Sequence, residues 1–290
     1  MAADTTPSVA VLGTGIMGKP MARNIAAAGL PTAAWNRTTE KAAPLRDDGI
    51  DVLENVPDAV AGRDLVVTML ADADAVLSVA DQALAAMDDG AVWVQMSTIG
   101  LQGTERCAAL AGDRGVTFVD APVLGTKEPA EQAQLVVFAS GPPEGLDRCA
   151  PVFDAVGQRT MTLGEAGAGT RLKLAVNGWI VAVVEGLAET VALAEGLGVD
   201  PSQFLDAIRG GALDMGYAHV KAGLMTRREF PPSFELKLAA KDARLCVEAA
   251  ERAGLDLPLQ RVVAERMAAG VEAGYGEEDM AAVFRLSAKR

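Results

Sequence analysis

Short apolar runs alternate with amphipathic stretches through the first half of the chain. "SVAVLG" (8–13), "PTAAWN" (31–36), "DLVVTML" (64–70), "AVWVQMS" (91–97), "VTFVDAP" (116–122) and "QLVVFAS" (134–140) are β-rich and too short for helices. Between them, residues 16–28, 74–87 and 103–112 read as helical segments. Strands alternating with helices predict a parallel sheet covered on both faces. The later, closer-spaced strands at 116–120, 134–140 and 159–163 are candidates for mixed or antiparallel pairing.

After about Gly164 the β signal stops, and "GEAGAG" reads as a hinge or helix-start loop. A long helix is predicted from about Gly169 to Gly196. Asp200 is placed to cap the next helix, with Pro201 at its first position and Gly210-Gly211 at its end. Residues 233–253 and 258–273 read as two more helices. The predicted class is therefore α/β, with an α/β domain over 1–165 and an all-α domain over 166–290, and there is no internal repeat.

The first glycines change the picture from architecture to chemistry. Gly13, Gly15 and Gly18 form GxGxxG after an apolar strand and at the opening of an amphipathic helix. In that context the spacing is a dinucleotide fingerprint: a tight turn, a close backbone approach to a pyrophosphate and close helix–strand packing. The loop Gly13, Thr14, Gly15, Ile16, Met17, Gly18 would present the helix N-terminus to the phosphates. An NAD site places a carboxylate at the end of the second strand. Here that end reads "WNRTTEK", with Asn36, Arg37 and Thr38 suited to a 2′-phosphate, so NADP(H) is expected over NAD(H).

Composition narrows the remaining chemistry. A net charge of −13 argues against a nucleic-acid binder. Three widely spaced cysteines make no zinc pattern and fit a reduced, cytoplasmic protein. No metal site is expected, and a single histidine, His219, excludes a two-histidine zinc site. The polar start "MAADTTP" shows no leader features. No membrane span is expected: 178–184 is the most apolar part of its helix, and Glu185, Glu189 and Glu195 follow too soon for the ~20 residues a span requires.

Tyr217 and Lys221 match a Tyr-x-x-x-Lys pair, but far outside the nucleotide domain, so the match reads as chance spacing on a helix face. Lys173 and Asn177 are more informative. Four residues apart on a long helix just after the nucleotide domain, they share one face, predicted to point into the interdomain cleft. A desolvated lysine there is suited to proton transfer. The long helix is too apolar to be covered by the rest of one chain, which predicts a homodimer or homotetramer with two-fold symmetry. Met215, Met225 and Met267 are expected to serve packing.

Four motifs occur in order: "GTGIMGKPMARN" (13–24), "DAPVLGTKEPAEQAQL" (120–135), "GAGTRLKLAVN" (167–177) and "KDARL" (241–245). In these the chain resembles the β-hydroxyacid dehydrogenases, related to 3-hydroxyisobutyrate dehydrogenase and to the nucleotide domain of 6-phosphogluconate dehydrogenase. "WNRT", "KEPAEQAQL" and "FPPSFELKLAAKD" are most similar to the NADPH-dependent glyoxylate/succinic semialdehyde reductases. The resemblance implies a Rossmann-type NADP-binding domain followed by a helical substrate and oligomerisation domain, and reduction of a small aldehyde or keto acid.

By the same resemblance Lys173 would be the proton donor, oriented by Asn177. Lys241 would contact the cofactor near the nicotinamide ribose, Thr98 would lie beside the nicotinamide, and Met69, Leu70 and Ala71 would line the cofactor groove. Phe234 and Asp242 would border the substrate, and the backbone at Leu124, Gly125 and Thr126 would hold its carboxylate. The family usually has serine where this chain has Leu124 and glycine where it has Thr126, which leaves the acid substrate open. The alternatives are a 3-hydroxyisobutyrate-type dehydrogenase, an imine reductase and, last, a non-enzymatic NADP-binding scaffold.

Overall fold

The computed structural model describes residues 6–288. Most of "MAADTTP", expected to carry no leader, lies outside that range. Two compact units divide between Lys173 and Leu174.

In the first unit, β1 (Val9–Leu12), β2 (Thr32–Trp35), β3 (Asp51–Leu53), β4 (Leu65–Thr68), β5 (Val92–Gln95) and β6 (Thr117–Asp120) form one parallel sheet in the order β3-β2-β1-β4-β5-β6. The register runs Val9 opposite Thr32 on one side and Leu65 on the other, then Leu65 opposite Val92 and Val92 opposite Thr117. Consecutive side chains of a strand point to opposite faces. Accordingly Val9 and Val11 join one apolar layer with Met21 and Ile25, while Ala10 and Leu12 join another with Val56, Val60 and Val79. Burial on both faces explains why these strands read as unbroken apolar runs.

Among the helices covering the sheet are α1 (Gly18–Ala27), α2 (Thr39–Ala42), α3 (Val56–Val60), α4 (Ala73–Leu84) and α5 (Gly100–Asp113). Past β6, β7 (Val123–Leu124), α6 (Lys127–Glu131), β8 (Leu135–Ala139), α7 (Pro143–Val156) and β9 (Gly157–Thr162) complete the α/β region. β7 pairs antiparallel with β8, and β8 parallel with β9, so the pairing there is mixed. A bridge between Asp120 and Ser140 ties this small sheet to the large one.

The long helix α8 (Ala168–Gly196) crosses the division between the units. The second unit continues with α9 (Pro201–Ile208), α10 (Gly216–Arg227), α11 (Leu236–Arg252) and α12 (Pro258–Gly270), then a π turn at Val271–Tyr275 and a 3-10 helix at Met280–Leu286. Asp200 caps α9 by accepting from Ser202 N at 2.8 Å. Val181, Val184, Ala188 and Val191 of α8 pack with Met225, Met267 and Phe284. Met215 packs against the same core, partly buried.

α8 is also a helix long and apolar enough to cross a membrane by length and composition, with mean hydropathy 1.4 over its best 18-residue window. No unbroken apolar run within it reaches span length, because Glu185, Glu189 and Glu195 interrupt it. Half of that window is buried inside the protein. Cys107, Cys149 and Cys246 are free and buried, and burial pushes the thiols of Cys107 and Cys149 up to about 12.

Candidate active site

β1 delivers the chain into the glycine loop at the centre of the sheet, where the strand order reverses. Ligands of open α/β sheets bind at such a point, outside the carboxyl ends of the strands. Gly13 has φ +105°, and a Cβ on Gly18 would lie 1.9 Å from the Gly13 carbonyl oxygen, so α1 and the loop touch backbone to backbone. A Cβ on Gly15 would meet nothing within 4 Å. The loop is thus closed on the protein side and open on the other. The Thr14 hydroxyl oxygen is buried with no protein partner, and the Thr14 N–H donates to Asn36 Oδ1 at 3.1 Å. An open glycine, an unpartnered hydroxyl and a helix N-terminus together fit a pyrophosphate. Ile16 and Met17 are half-buried on the way into α1.

At the end of β2, Asn36 donates to the Thr38 carbonyl at 2.9 Å, and Arg37 and Thr38 are exposed. The end of β4 carries Met69, Leu70 and Ala71. Met69 N–H donates to Leu12 O at 2.9 Å, and Leu70 N–H to Ser97 Oγ at 2.9 Å. Thr98, half-buried, follows Ser97. Beneath these loops lies a buried polar chain that the strand pattern did not announce. Trp93 Nε1 donates to Thr68 Oγ1 at 3.0 Å, and Gln95 both donates to Ser97 O and accepts from Ser97 N at 2.8 Å.

The "DAPVLGT" stretch starts at the end of β6. Leu124, Gly125 and Thr126 are half-buried, and Gly125 has φ +136° with Leu135 and Pro129 pressed against it. Asp120 is fully buried. Its Oδ2 accepts from Thr170 N and its Oδ1 from the Thr170 hydroxyl, both at 2.8 Å, and Ser140 Oγ lies 3.2 Å from Oδ2. Burial pushes the Asp120 carboxyl up, against the opposing pull of the Thr170 and Ser140 hydrogen bonds. Lys173, three residues further along α8, is 8 % exposed.

In the second unit Asn177, 2 % exposed, donates from Nδ2 to Asp242 Oδ2 at 2.8 Å. Lys241 Nζ stands 3.0 Å from Asp242 Oδ1, an ion pair without hydrogen-bond alignment. Asn177, Asp242 and Lys241 therefore form one polar cluster within this unit, and Lys173 and Asn177 lie on one face of an uninterrupted helix. Phe234 is half-buried, its carbonyl accepting from Met280 N at 2.8 Å.

The Tyr217–Lys221 pair is structural. Lys221 is 1 % exposed and donates to Asp279 Oδ1 at 2.6 Å, while the Tyr217 hydroxyl points at Met280 Sδ, 3.5 Å away. His219 pairs with Asp214 at 2.6 Å, five residues back along the chain. Among the described residues no group of three His, Cys, Asp or Glu side chains is arranged to hold a metal ion.

The NAD-binding domain model of 6-phosphogluconate dehydrogenase matches residues 8–164, and the NAD-binding model of NADP-dependent 3-hydroxyisobutyrate dehydrogenase matches residues 167–287. The chain belongs to the β-hydroxyacid dehydrogenase family. Its similarity to the chloroplastic glyoxylate/succinic semialdehyde reductase 2 of Arabidopsis thaliana is 32 % identity, covering 96 % of this chain and 79 % of that one. A solved structure of Mycobacterium tuberculosis 3-hydroxyisobutyrate dehydrogenase with L-serine is 28 % identical with a TM-score of 0.87, covering 97 % and 99 %. That of the Salmonella typhimurium 3-hydroxyisobutyrate dehydrogenase gives 26 % and 0.89, covering 96 % and 99 %. This β-hydroxyacid dehydrogenase is accordingly a pyridine-nucleotide oxidoreductase acting on a small molecule.

Proposed function

We propose that this protein is an NADP(H)-linked reductase of small aldehydes or keto acids, of the succinic semialdehyde and glyoxylate class, with Lys173 as proton donor. The observation that carries the cofactor half is the end of β2. Arg37 is exposed there, makes no ion pair among the described residues, and has no carboxylate beside it at the strand end. A guanidinium in that position pairs with a 2′-phosphate, while an NAD site would offer a carboxylate to the ribose. Asn36 and Thr38 complete that end. Gly13 to Gly18 hold the pyrophosphate, and Met69, Leu70, Ala71 and Thr98 line the nicotinamide side.

When bound, the nicotinamide supplies a hydride to the carbonyl carbon. Lys173, as ammonium, hydrogen-bonds the carbonyl oxygen and gives it a proton as negative charge develops. In the reverse direction the neutral amine takes the hydroxyl proton. Asn177, held by Asp242, keeps the amine and substrate aligned. The N–H groups of Gly125 and Thr126 bind the substrate carboxylate. Leu124, at the family's serine position, makes this end of the pocket less polar.

Trp179 and Leu193 of α8, 64 % and 62 % exposed, support burial against a second copy in a homodimer or homotetramer. The three reduced cysteines support a cytoplasmic setting.

NADPH oxidation with succinic semialdehyde and with glyoxylate, each against NADH, tests the whole reading. Turnover with NADPH far above NADH is expected. Arg37→Asp should weaken NADPH binding by roughly 10-fold or more, the scale of a lost charge-assisted hydrogen bond, and leave NADH nearly unchanged. Equal losses for both nucleotides would remove the 2′-phosphate role.

A further inference from the structure

The carboxylate of Asp120 joins two parts of the proposed site. Asp120 ends β6 and begins the stretch that reaches Leu124, Gly125 and Thr126. Its two oxygens take the backbone and hydroxyl hydrogens of Thr170, in the first turn of α8. The next N–H back, that of Gly169, donates to Ser140 Oγ at 2.9 Å, and Ser140 exchanges both backbone hydrogen bonds with Asp120. Helix N-termini leave such N–H groups without intrahelical partners. Here the acceptors come from β6 and from the residue after β8, so the helix start is registered against the sheet.

With Asp120 ionised, the network has a fixed direction. The Thr170 hydroxyl has one hydrogen, and an ionised carboxylate can only accept it. The Thr104 hydroxyl, 2.9 Å from Thr170 Oγ1, must then donate to Thr170. Packing leaves no slack beside this chain. A Cβ on Gly169 would stand 2.1 Å from the Phe138 carbonyl oxygen and 3.1 Å from that of Asp120. Lys173 follows Thr170 by three residues, about 4.5 Å along the helix axis.

We propose that Asp120 is a positioning residue for Lys173: by gripping Thr170 it sets where the amine stands relative to the 124–126 loop that the same aspartate begins. The inference rests on Lys173 being the proton donor. Proton transfer needs the amine within hydrogen-bond reach of the carbonyl oxygen, and displacements near 1 Å can cost up to about 100-fold in rate. A carboxylate serves because both its oxygens accept. An amide would turn its NH2 toward the Thr170 or Ser140 donors.

The test uses Thr170→Val, which keeps the backbone hydrogen bond and removes the hydroxyl, beside Thr170→Ser, which restores it. Lys173→Ala is assayed in parallel, all in the full chain with NADPH and succinic semialdehyde or glyoxylate, whichever the wild type reduces. Thr170→Val is expected to lower kcat about 10-fold with the Kd for NADPH, from fluorescence titration, within about 2-fold, and Thr170→Ser to return kcat to within about 2-fold. Ser140→Ala, which removes the Gly169 acceptor, gives the same reading if Thr170→Val does not fold. Wild-type kcat in the folded variant, or equal losses for valine and serine, would overturn the positioning role while Lys173→Ala still loses activity. Full activity in Lys173→Ala would instead remove the proton donor on which the inference stands.

Discussion

Asp120 and Asp279 are both fully buried, both receive several hydrogen bonds, and their carboxyls shift in opposite directions. Asp279 faces Lys221 at 2.6 Å and also accepts from Ser233 N, Ser233 Oγ and Ala281 N. Burial alone would raise it, but the lysine charge and the hydrogen bonds hold it below the usual carboxylate range. Asp120 is held by hydroxyls and backbone N–H groups, and there burial prevails. Neutral donors position a carboxylate without offsetting its desolvation at Asp120, whereas a cation added to such donors does offset it at Asp279. One aspartate thus closes an ion pair inside a helical core, and the other holds a helix start against a sheet.

Lys221→Met should produce the largest effect, because it converts Asp279 into a site like that of Asp120. Removing one member of a buried pair leaves the other charge uncompensated, a loss of about 3–5 kcal/mol read by urea denaturation at neutral pH. A loss below about 1 kcal/mol would mean that the hydrogen bonds alone satisfy Asp279. Asp120→Asn removes no ion pair. Its cost is expected at about 1–3 kcal/mol, the range for a buried hydrogen-bonding mismatch. A larger cost than that of Lys221→Met would reverse the ranking of the two sites.

The smallest effect is a change with pH, and its sign separates the two aspartates. The lowered carboxyl of Asp279 contributes stability above its unfolded value, near 3.9, that is lost as pH falls through the folded value. The raised carboxyl of Asp120 contributes stability at low pH that is lost as pH rises through its folded value. In Lys221→Met, Asp279 should move upward and follow Asp120. The stability deficit of the variant against wild type should then narrow between pH 7.5 and pH 5. A constant deficit would show that Asp279 stays ionised without its lysine.

Apolar runs placed β1, β2, β4, β5, β6 and β8, because both faces of a covered sheet demand apolar side chains. β3 is three residues with one buried, and β7 is two residues, so neither stands out from a loop. α10 lacks a regular apolar stripe, so only the Tyr217–Lys221 spacing points to a helix there. The glycine loop was legible because its demands are local, and Lys173 with Asn177 because i,i+4 spacing is local too. The partners of Asp120 lie 20 and 50 residues away, and Lys221 lies 58 from Asp279. No window of sequence contains such pairs. Lys221 stood out only as half of a Tyr–Lys motif, and its actual role came from the carboxylate that faces it.

Gly169 and Thr170 lie beyond the point where the α/β pattern ends. A truncated nucleotide-binding fragment stopping at residue 165 would therefore keep Asp120 and Ser140 and discard the Thr170 and Gly169 groups that donate to them. Shortened versions of this protein, for crystallisation or for grafting onto another helical partner, need to extend at least to Lys173 to retain a closed polar interior.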